Sequence, residues 1–308
     1  MPALRDLFLA MSTNALMRRL VVGFPLSRRV SRRFVAGETI DEAIQVVKKM
    51  RAQGIDVTFD QLGESVTNEA EARAAKEGYL RALDAIAASQ VSSQLSLKLT
   101  QMGLDLGTEL CLANVREILT RAQTVGTLVT IDMEDSAHTQ ITLEVFKQLR
   151  AEFANVGIVI QSYLYRSEQD FKELLALDAN IRLCKGAYKE PATVAFPQKK
   201  DVDANYIHLA QLFFDSVQTH RAYLDLATHD EKIIAWAKEY VTAHHIPRQR
   251  FEFQMLYGIR SDLQRKIVAE GYTMRVYVPC GTHWYPYFMR RLAERPANVI
   301  FLISNLFR

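Results

Sequence analysis

Short apolar runs ending at or near a polar residue recur along this chain. Each is followed by a loop and then by a stretch with helical periodicity. The runs cover residues 55–60, 94–99, 127–132, 157–161, 180–185, 223–228, 251–254 and 273–277. Strands alternating with helices predict parallel βαβ units. Eight of them predict an α/β fold of the closed (β/α)8 TIM-type barrel class. Such barrels carry their chemistry at the C-terminal ends of the strands. There the chain has Lys98, Asp132, Gln161, Lys185, His229 and Tyr277. Helices are expected at 68–88, 109–124, 138–152, 167–177, 205–219, 231–244, 262–270 and 284–294. In the last, Pro286 falls in the first turn, where proline is tolerated. An earlier helix, 39–51, opens on Thr39 with Glu42 three residues on, a capping-box pattern. A terminal apolar segment spans 298–307.

Alternation within the runs sharpens the picture, because successive strand side chains point to opposite faces. Leu95, Leu97 and Leu99 share one face, and Ser96 and Lys98 the other. Val129 and Ile131 oppose Thr130 and Asp132, and Ile181 and Leu183 oppose Arg182 and Cys184. Phe251 and Phe253 oppose Glu252 and Gln254, and Met274 and Val276 oppose Arg275 and Tyr277. The apolar faces must meet the outer helices, so the polar faces point into the barrel. Barrel interiors are usually filled with Val, Ile and Leu. A buried unpaired charge costs several kcal/mol. This polar set therefore requires mutual pairing at the barrel floor or a polar ligand.

At 308 residues the chain exceeds the roughly 250 that such a barrel needs. It divides into a basic helical arm, 1–38, and one barrel domain, 39–308. With 49% hydrophobic residues a large core is readily supplied. No apolar run approaches the ~20 residues of a membrane span, and the apolar stretch 7–10 is too short for a secretory signal core. Cys111, Cys184 and Cys280 show no metal-ligand spacing. A reduced, cytoplasmic protein is expected, without a bound metal. The net charge of +3 does not suit a nucleic-acid binder. The charge is uneven, however. The first 36 residues hold seven arginines against Asp6, interleaved with apolar residues such as Leu7, Phe8 and Leu20. This is either a solvated basic face or a contact with an anionic membrane surface.

Two segments carry the candidate chemistry. Residues 182–188 (RLCKGAY) put Arg182 and Lys185 beside Gly186 and Ala187. A ligand could approach such a backbone closely; a tight βα turn is the alternative. Residues 277–294 run from the last strand into the last barrel helix and contain Arg290, Arg291 and Glu294 after Trp284, Tyr285 and Tyr287. The planar guanidinium fork suits a carboxylate, and Glu294 is spaced to orient either arginine. The alternative is a solvated surface pair. His229, next to Thr228, is either a hydrogen-bonding core residue or a cofactor contact. HxH, HExxH, GxGxxG, Walker and nucleophile-elbow patterns are absent.

Together these segments resemble the proline dehydrogenase family, FAD-containing (β/α)8 flavoenzymes. The resemblance runs from about Phe59 to Glu294. It rests on FDQLGE, LSLKLTQMGLD, TIDMED, VIQSYLYR, RLCKGAYKEP, ATHD, FEFQMLYGIR and YVPCGTHWYPYFMRRLAERP. The short, monofunctional bacterial form is the most similar. The resemblance implies oxidation of L-proline to Δ1-pyrroline-5-carboxylate by hydride transfer from proline C5 to FAD N5. Electrons then pass to a membrane quinone, and a separate pyrroline-5-carboxylate dehydrogenase acts downstream. It implies that Arg290 and Arg291 bind the substrate carboxylate, with Lys98 as a third cation. Leu256, Tyr277 and Tyr287 would shape the pyrrolidine pocket. Asp132 and Arg182 would be catalytic, Asp132 near substrate and flavin and Arg182 near flavin N5. Gln161 would lie near the pyrimidine side. Met133, Lys185, Gly186, Ala187, Thr228 and His229 would line the FAD site. Glu64 would act as a gate by pairing with Arg290, with Glu294 beside them. Two other functions fit parts of the sequence. One is a barrel aldolase with Lys98 or Lys185 as Schiff-base nucleophile. The other is a non-enzymatic, peripheral membrane scaffold using the basic arm.

Overall fold

Eight parallel strands close on themselves in sequence order. They are β1 (Asp56–Gln61), β2 (Gln94–Leu97), β3 (Val129–Ile131), β4 (Val156–Gln161), β5 (Asn180–Cys184), β6 (Tyr223–Ala227), β7 (Phe251–Leu256) and β8 (Met274–Cys280). The computed structural model describes residues 31–63 and 65–294, without the side chains of Arg290, Leu292, Ala293 and Glu294. The expected arm up to residue 30, the terminal segment 298–307, the gate residue Glu64 and the side chains of Arg290 and Glu294 lie outside the described residues.

Helix α1 (Ile40–Arg51) precedes β1 and closes the expected capping box: Thr39 accepts from the Glu42 amide and Glu42 accepts from the Thr39 amide. A helix then follows every strand. These are α2 (Glu69–Ser89), α3 (Thr108–Thr124), α4 (Ser136–Glu152), α5 (Ser167–Ala176), α6 (Lys199–Ser216), α7 (Glu231–Ala243), α8 (Ser261–Ala269) and α9 (Trp284–Glu294). Helix α6 begins six residues before the expected start at 205. Its first turn is charged and carries no buried apolar residue, so periodicity shows only from Tyr206 onward, where Leu209, Ala210 and Phe213 face the barrel. Strand β8 outlasts its expected end at 277. Pro279 still pairs with Asp60 on β1, and its carbonyl accepts from the Ala36 amide at 2.8 Å.

The apolar strand faces pack outward, as alternation requires. Leu95, Leu97, Val129, Ile131, Ile181, Leu183, Phe253, Met274 and Val276 are all fully buried against the helices. Each such side chain contributes about 1.5–3 kcal/mol. The inner faces are polar and form two layers. At the floor Arg275 bonds Glu252 at 2.5 and 3.0 Å and the Val57 carbonyl at 3.0 Å. Asp225 lies in register with both Arg182 and Glu252. Burial, reinforced by Glu252, raises its pKa to about 8. The upper layer opens onto a cavity. Internal pairing at the floor and a cavity-facing polar surface above it thus both occur in this barrel.

Candidate active site

The cavity has a volume of about 750 Å3 and opens at the C-terminal ends of the strands. Its base is a hydrogen-bonded group centred on Arg182, which is 3% exposed. Arg182 donates through Nε to Gln254 Oε1 (2.7 Å) and through Nη1 to Ser96 Oγ (2.8 Å) and Asp132 Oδ1 (2.8 Å). Tyr277 donates its hydroxyl to Asp132 Oδ2 at 2.8 Å, and the Arg182 guanidinium lies 5.4 Å from the Tyr277 ring centroid. Burial alone would lower the Arg182 pKa. The charges of Asp132 and Asp225 outweigh it, and the net shift is upward. Burial, with Asp132 beside it, keeps Tyr277 a phenol well above its ordinary range. Lys98 Nζ sits 3.7 Å from Asp132 Oδ2 and 3.8 Å from Asp60 Oδ1.

Register on adjacent strands sets the next positions. Val159 of β4 pairs with Arg182, and Gln161 with Cys184. Gln161 donates to the Met133 carbonyl at 3.3 Å, and this puts Met133 and Gln161 side by side on the cavity wall. Among the buried polar atoms without a hydrogen-bond partner among the described residues are two on β4 and β5, the donor Arg182 Nη2 and the acceptor Gln161 Oε1. Leaving such groups unmet costs about 1–3 kcal/mol each. A planar heterocycle with both acceptor and donor edges, such as an isoalloxazine, would satisfy both, so the residues present fit a flavin.

The far wall comes from the loops after β5 and β6. Lys185 pairs with Asp203 (2.6 Å) and Asp230 (2.8 Å). Burial would raise the Asp230 carboxyl, but Lys185 and Lys199 hold it down at about 2. Gly186 has φ +109°, and a Cβ there would lie 2.3 Å from the Tyr163 ring; no side chain fits. The backbone at Gly186 and Ala187 is thus open to the cavity. Thr228 and His229 line the same wall, and His229 Nε2 accepts from the Leu256 amide at 3.0 Å. His229 is thus hydrogen-bonded into the frame and lines the cavity.

Helix α9 roofs the opening. Trp284, Phe288 and Met289 pack it against Phe34, Val35, Leu62 and Ile259. That leaves Tyr287 and Arg291, four residues apart on one face, over the cavity beside Leu256. The Arg291 guanidinium lies 5.0 Å from the Tyr287 ring centroid. The structure therefore gathers around one cavity every expected site residue whose side chain is described. It adds Asp60 and Gln254, which the candidate set left out. Their inward parity on β1 and β7 was the available signal. Cys184 also lines the cavity, and burial pushes its thiol up to about 12, so it stays protonated and inert.

Lys98 and Lys185 are each flanked by two carboxylates. A Schiff-base lysine needs the opposite surroundings, apolar or cationic. The aldolase expectation is therefore not favoured. Among the described residues no helix is long and apolar enough to cross a membrane.

Beside the site, His138 of α4 bridges two loops. Its Nδ1 lies 2.7 Å from Asp135 and its Nε2 2.9 Å from Asp105. Burial would lower its pKa; hydrogen bonds to the two carboxylates prevail and raise it. A raised folded-state value means the stabilisation is complete below the unfolded value of about 6.5. It is lost as pH rises through the folded value. Unfolding free energies from urea titrations across this range should fall more steeply in the wild type than in His138→Gln, by up to about 1 kcal/mol. Parallel curves for the two proteins would contradict this.

A family model described as proline dehydrogenase matches residues 43–303. Proline dehydrogenase 1 of Bacillus subtilis (strain 168) is 46% identical over 305 residues, 99% of either chain. Proline dehydrogenase of Deinococcus radiodurans is 44% identical over 284 residues, 91% of this chain and 90% of the relative. The crystal structure of proline utilization A from Bdellovibrio bacteriovorus, inactivated by N-propargylglycine, superposes with a TM-score of 0.82 at 27% identity. It covers 94% of this chain and 36% of that one. With the polar-lined barrel described above, these matches establish that the chain belongs to the proline dehydrogenase family.

Proposed function

We propose that the cavity binds FAD and L-proline and that the protein oxidises proline to Δ1-pyrroline-5-carboxylate, the first step of proline catabolism. The observation that carries this function is the pair of unmet polar atoms, Arg182 Nη2 and Gln161 Oε1, on neighbouring strands of one cavity. FAD, when bound, supplies the acceptor for the hydride leaving proline C5. The roles of this chain's own residues follow from their chemistry.

Arg291 offers its fork to the substrate carboxylate, with Arg290 beside it in sequence and Lys98 as a further cation. Leu256, Tyr287 and Tyr277 wall the ring, so a small substrate is held in one orientation. Arg182 keeps a fixed positive charge where negative charge develops, inside a buried site where it counts for more than in water. Asp132 holds that guanidinium and the Tyr277 hydroxyl in place. Met133, Gln161, Lys185, Gly186, Ala187, Thr228 and His229 line the cofactor's length. The family resemblance implies a gate in which Glu64 pairs with Arg290, with Glu294 as a further gate residue.

Residues 39–308 form the catalytic domain and 1–38 an appended basic arm. The basic arm is either a solvated face or a contact with an anionic membrane surface, and electrons pass from a cytoplasmic protein to a membrane quinone. A separate dehydrogenase consumes the product. Turnover of proline with a dye acceptor in place of quinone tests the assignment. Bleaching of the dye in proportion to proline consumed is expected. A protein that bleaches no dye with proline, yet forms a borohydride-trapped adduct with an aldehyde, would overturn it.

A further inference from the structure

The segment after β5 runs across the loop after β4 before it reaches α6. Ser162 and Tyr163 donate their amides to the carbonyls of Cys184 (2.8 Å) and Lys185 (3.0 Å). Farther along, Phe196 donates to the Tyr163 carbonyl at 2.8 Å and Tyr165 donates to the Val194 carbonyl at 3.1 Å. Leu164 and Ala195 form an antiparallel bridge. Both ends of the segment are thereby fastened to the β4 side. Between them lie Gly186, Ala187 and Tyr188, all lining the cavity, and then Glu190, which does not line it.

Glu190 makes the remaining tie. One carboxylate oxygen accepts from the Ser136 amide at 2.7 Å and the other from the Ser136 hydroxyl at 2.5 Å. The Tyr163 hydroxyl lies 3.5 Å from the first oxygen. Ser136 opens α4, so the carboxylate meets a helix N-terminus, where negative charge is favoured. One half-buried side chain therefore joins the loops after β3, β4 and β5. Those loops extend from Asp132 and Met133, from Gln161, and from Arg182 and Lys185. Pro191 follows directly and restricts Glu190 to extended backbone.

We infer that Glu190 is a positioning residue, holding the 186–188 backbone in the shape that receives the cofactor. This rests on the FAD assignment above. Glu190 does not line the cavity; it acts through the segment it anchors. A preformed segment need not be ordered when the ligand arrives, so affinity rises without a new contact. Hydrogen bonds to a charged group are roughly twice as strong as neutral ones. Removing the charge alone should therefore weaken the tie, and removing the side chain should abolish it.

The test is the rate at which flavin fluorescence appears on diluting holoenzyme of wild type, Glu190→Gln, Glu190→Ala and Ser136→Ala. Release should be about tenfold faster in Glu190→Ala, with Glu190→Gln and Ser136→Ala in between. The FAD-free protein should still unfold cooperatively in all four, with its midpoint lowered in the variants only by the loss of this local tie. Combining Glu190→Ala with Ser136→Ala should add nothing further. Release rates equal to wild type in the Glu190 variants would overturn the inference. So would loss of cooperative unfolding in the FAD-free variants, since the role would then be structural. Wild-type protein that binds no flavin would overturn the cofactor assignment itself and this inference with it.

Discussion

Arg182→Ala is expected to slow flavin reduction by proline about 100- to 1,000-fold, the effect of removing one preorganised donor from a buried site. Arg182 is held by Gln254, Ser96 and Asp132 at 2.7–2.8 Å, and its remaining Nη2 has no hydrogen-bond partner among the described residues. Three contacts thus fix the guanidinium, and the two N–H groups of Nη2 are left for a ligand. The substitution also removes a partner of Asp132. Breaking a buried pair costs about 3–5 kcal/mol when the survivor is left alone. Here the survivor keeps the Tyr277 hydroxyl at 2.8 Å and Lys98 at 3.7 Å, so the loss should fall toward the lower end. Stopped-flow absorbance on anaerobic mixing, with a melting curve as control, separates the two effects. A folded variant reduced as fast as wild type would remove Arg182 from its assigned place.

Arg291→Met should raise the proline concentration for half-maximal rate, by on the order of 100-fold or more, and leave FAD bound. Removing one partner of a buried, hydrogen-bonded charge pair costs about 2–5 kcal/mol, and each 1.4 kcal/mol is tenfold. Arg291 is 9% exposed and stacks on Tyr287, so its charge acts where water is largely excluded. Methionine keeps the helix propensity of α9 and much of the side-chain volume. The residues assigned to FAD lie on strand ends and βα loops rather than on α9, so cofactor content should not change. A rise in KM with kcat preserved marks binding shared by ground and transition states. Unchanged proline kinetics would remove the carboxylate clamp.

The barrel was legible because its strands face two different media. Leu95, Leu97, Ile181 and Leu183 meet helices, while Ser96, Lys98 and Arg182 meet a polar interior, so alternation alone sorted the faces. Height along the barrel was not legible. Arg275 and Glu252 share parity with Tyr277 and Gln254, yet they pair with each other at the floor. Height depends on the register between neighbouring strands, which a single sequence does not display. Asp60 escaped the candidate set for a related reason: its ion-pair contact with Lys98 crosses from β1 to β2. The start of α6 was missed because a charged first turn carries no periodicity. The loop ties of His138 and Glu190 join residues 33 and 54 positions apart, and only the folded chain brings them together.

The most direct test is anaerobic titration of the purified protein with proline while its visible spectrum is followed. A flavin band near about 450 nm that bleaches with one equivalent of proline per flavin, and returns when a quinone is added, is the predicted result. A colourless protein, or a flavin band that proline leaves untouched, would contradict the account.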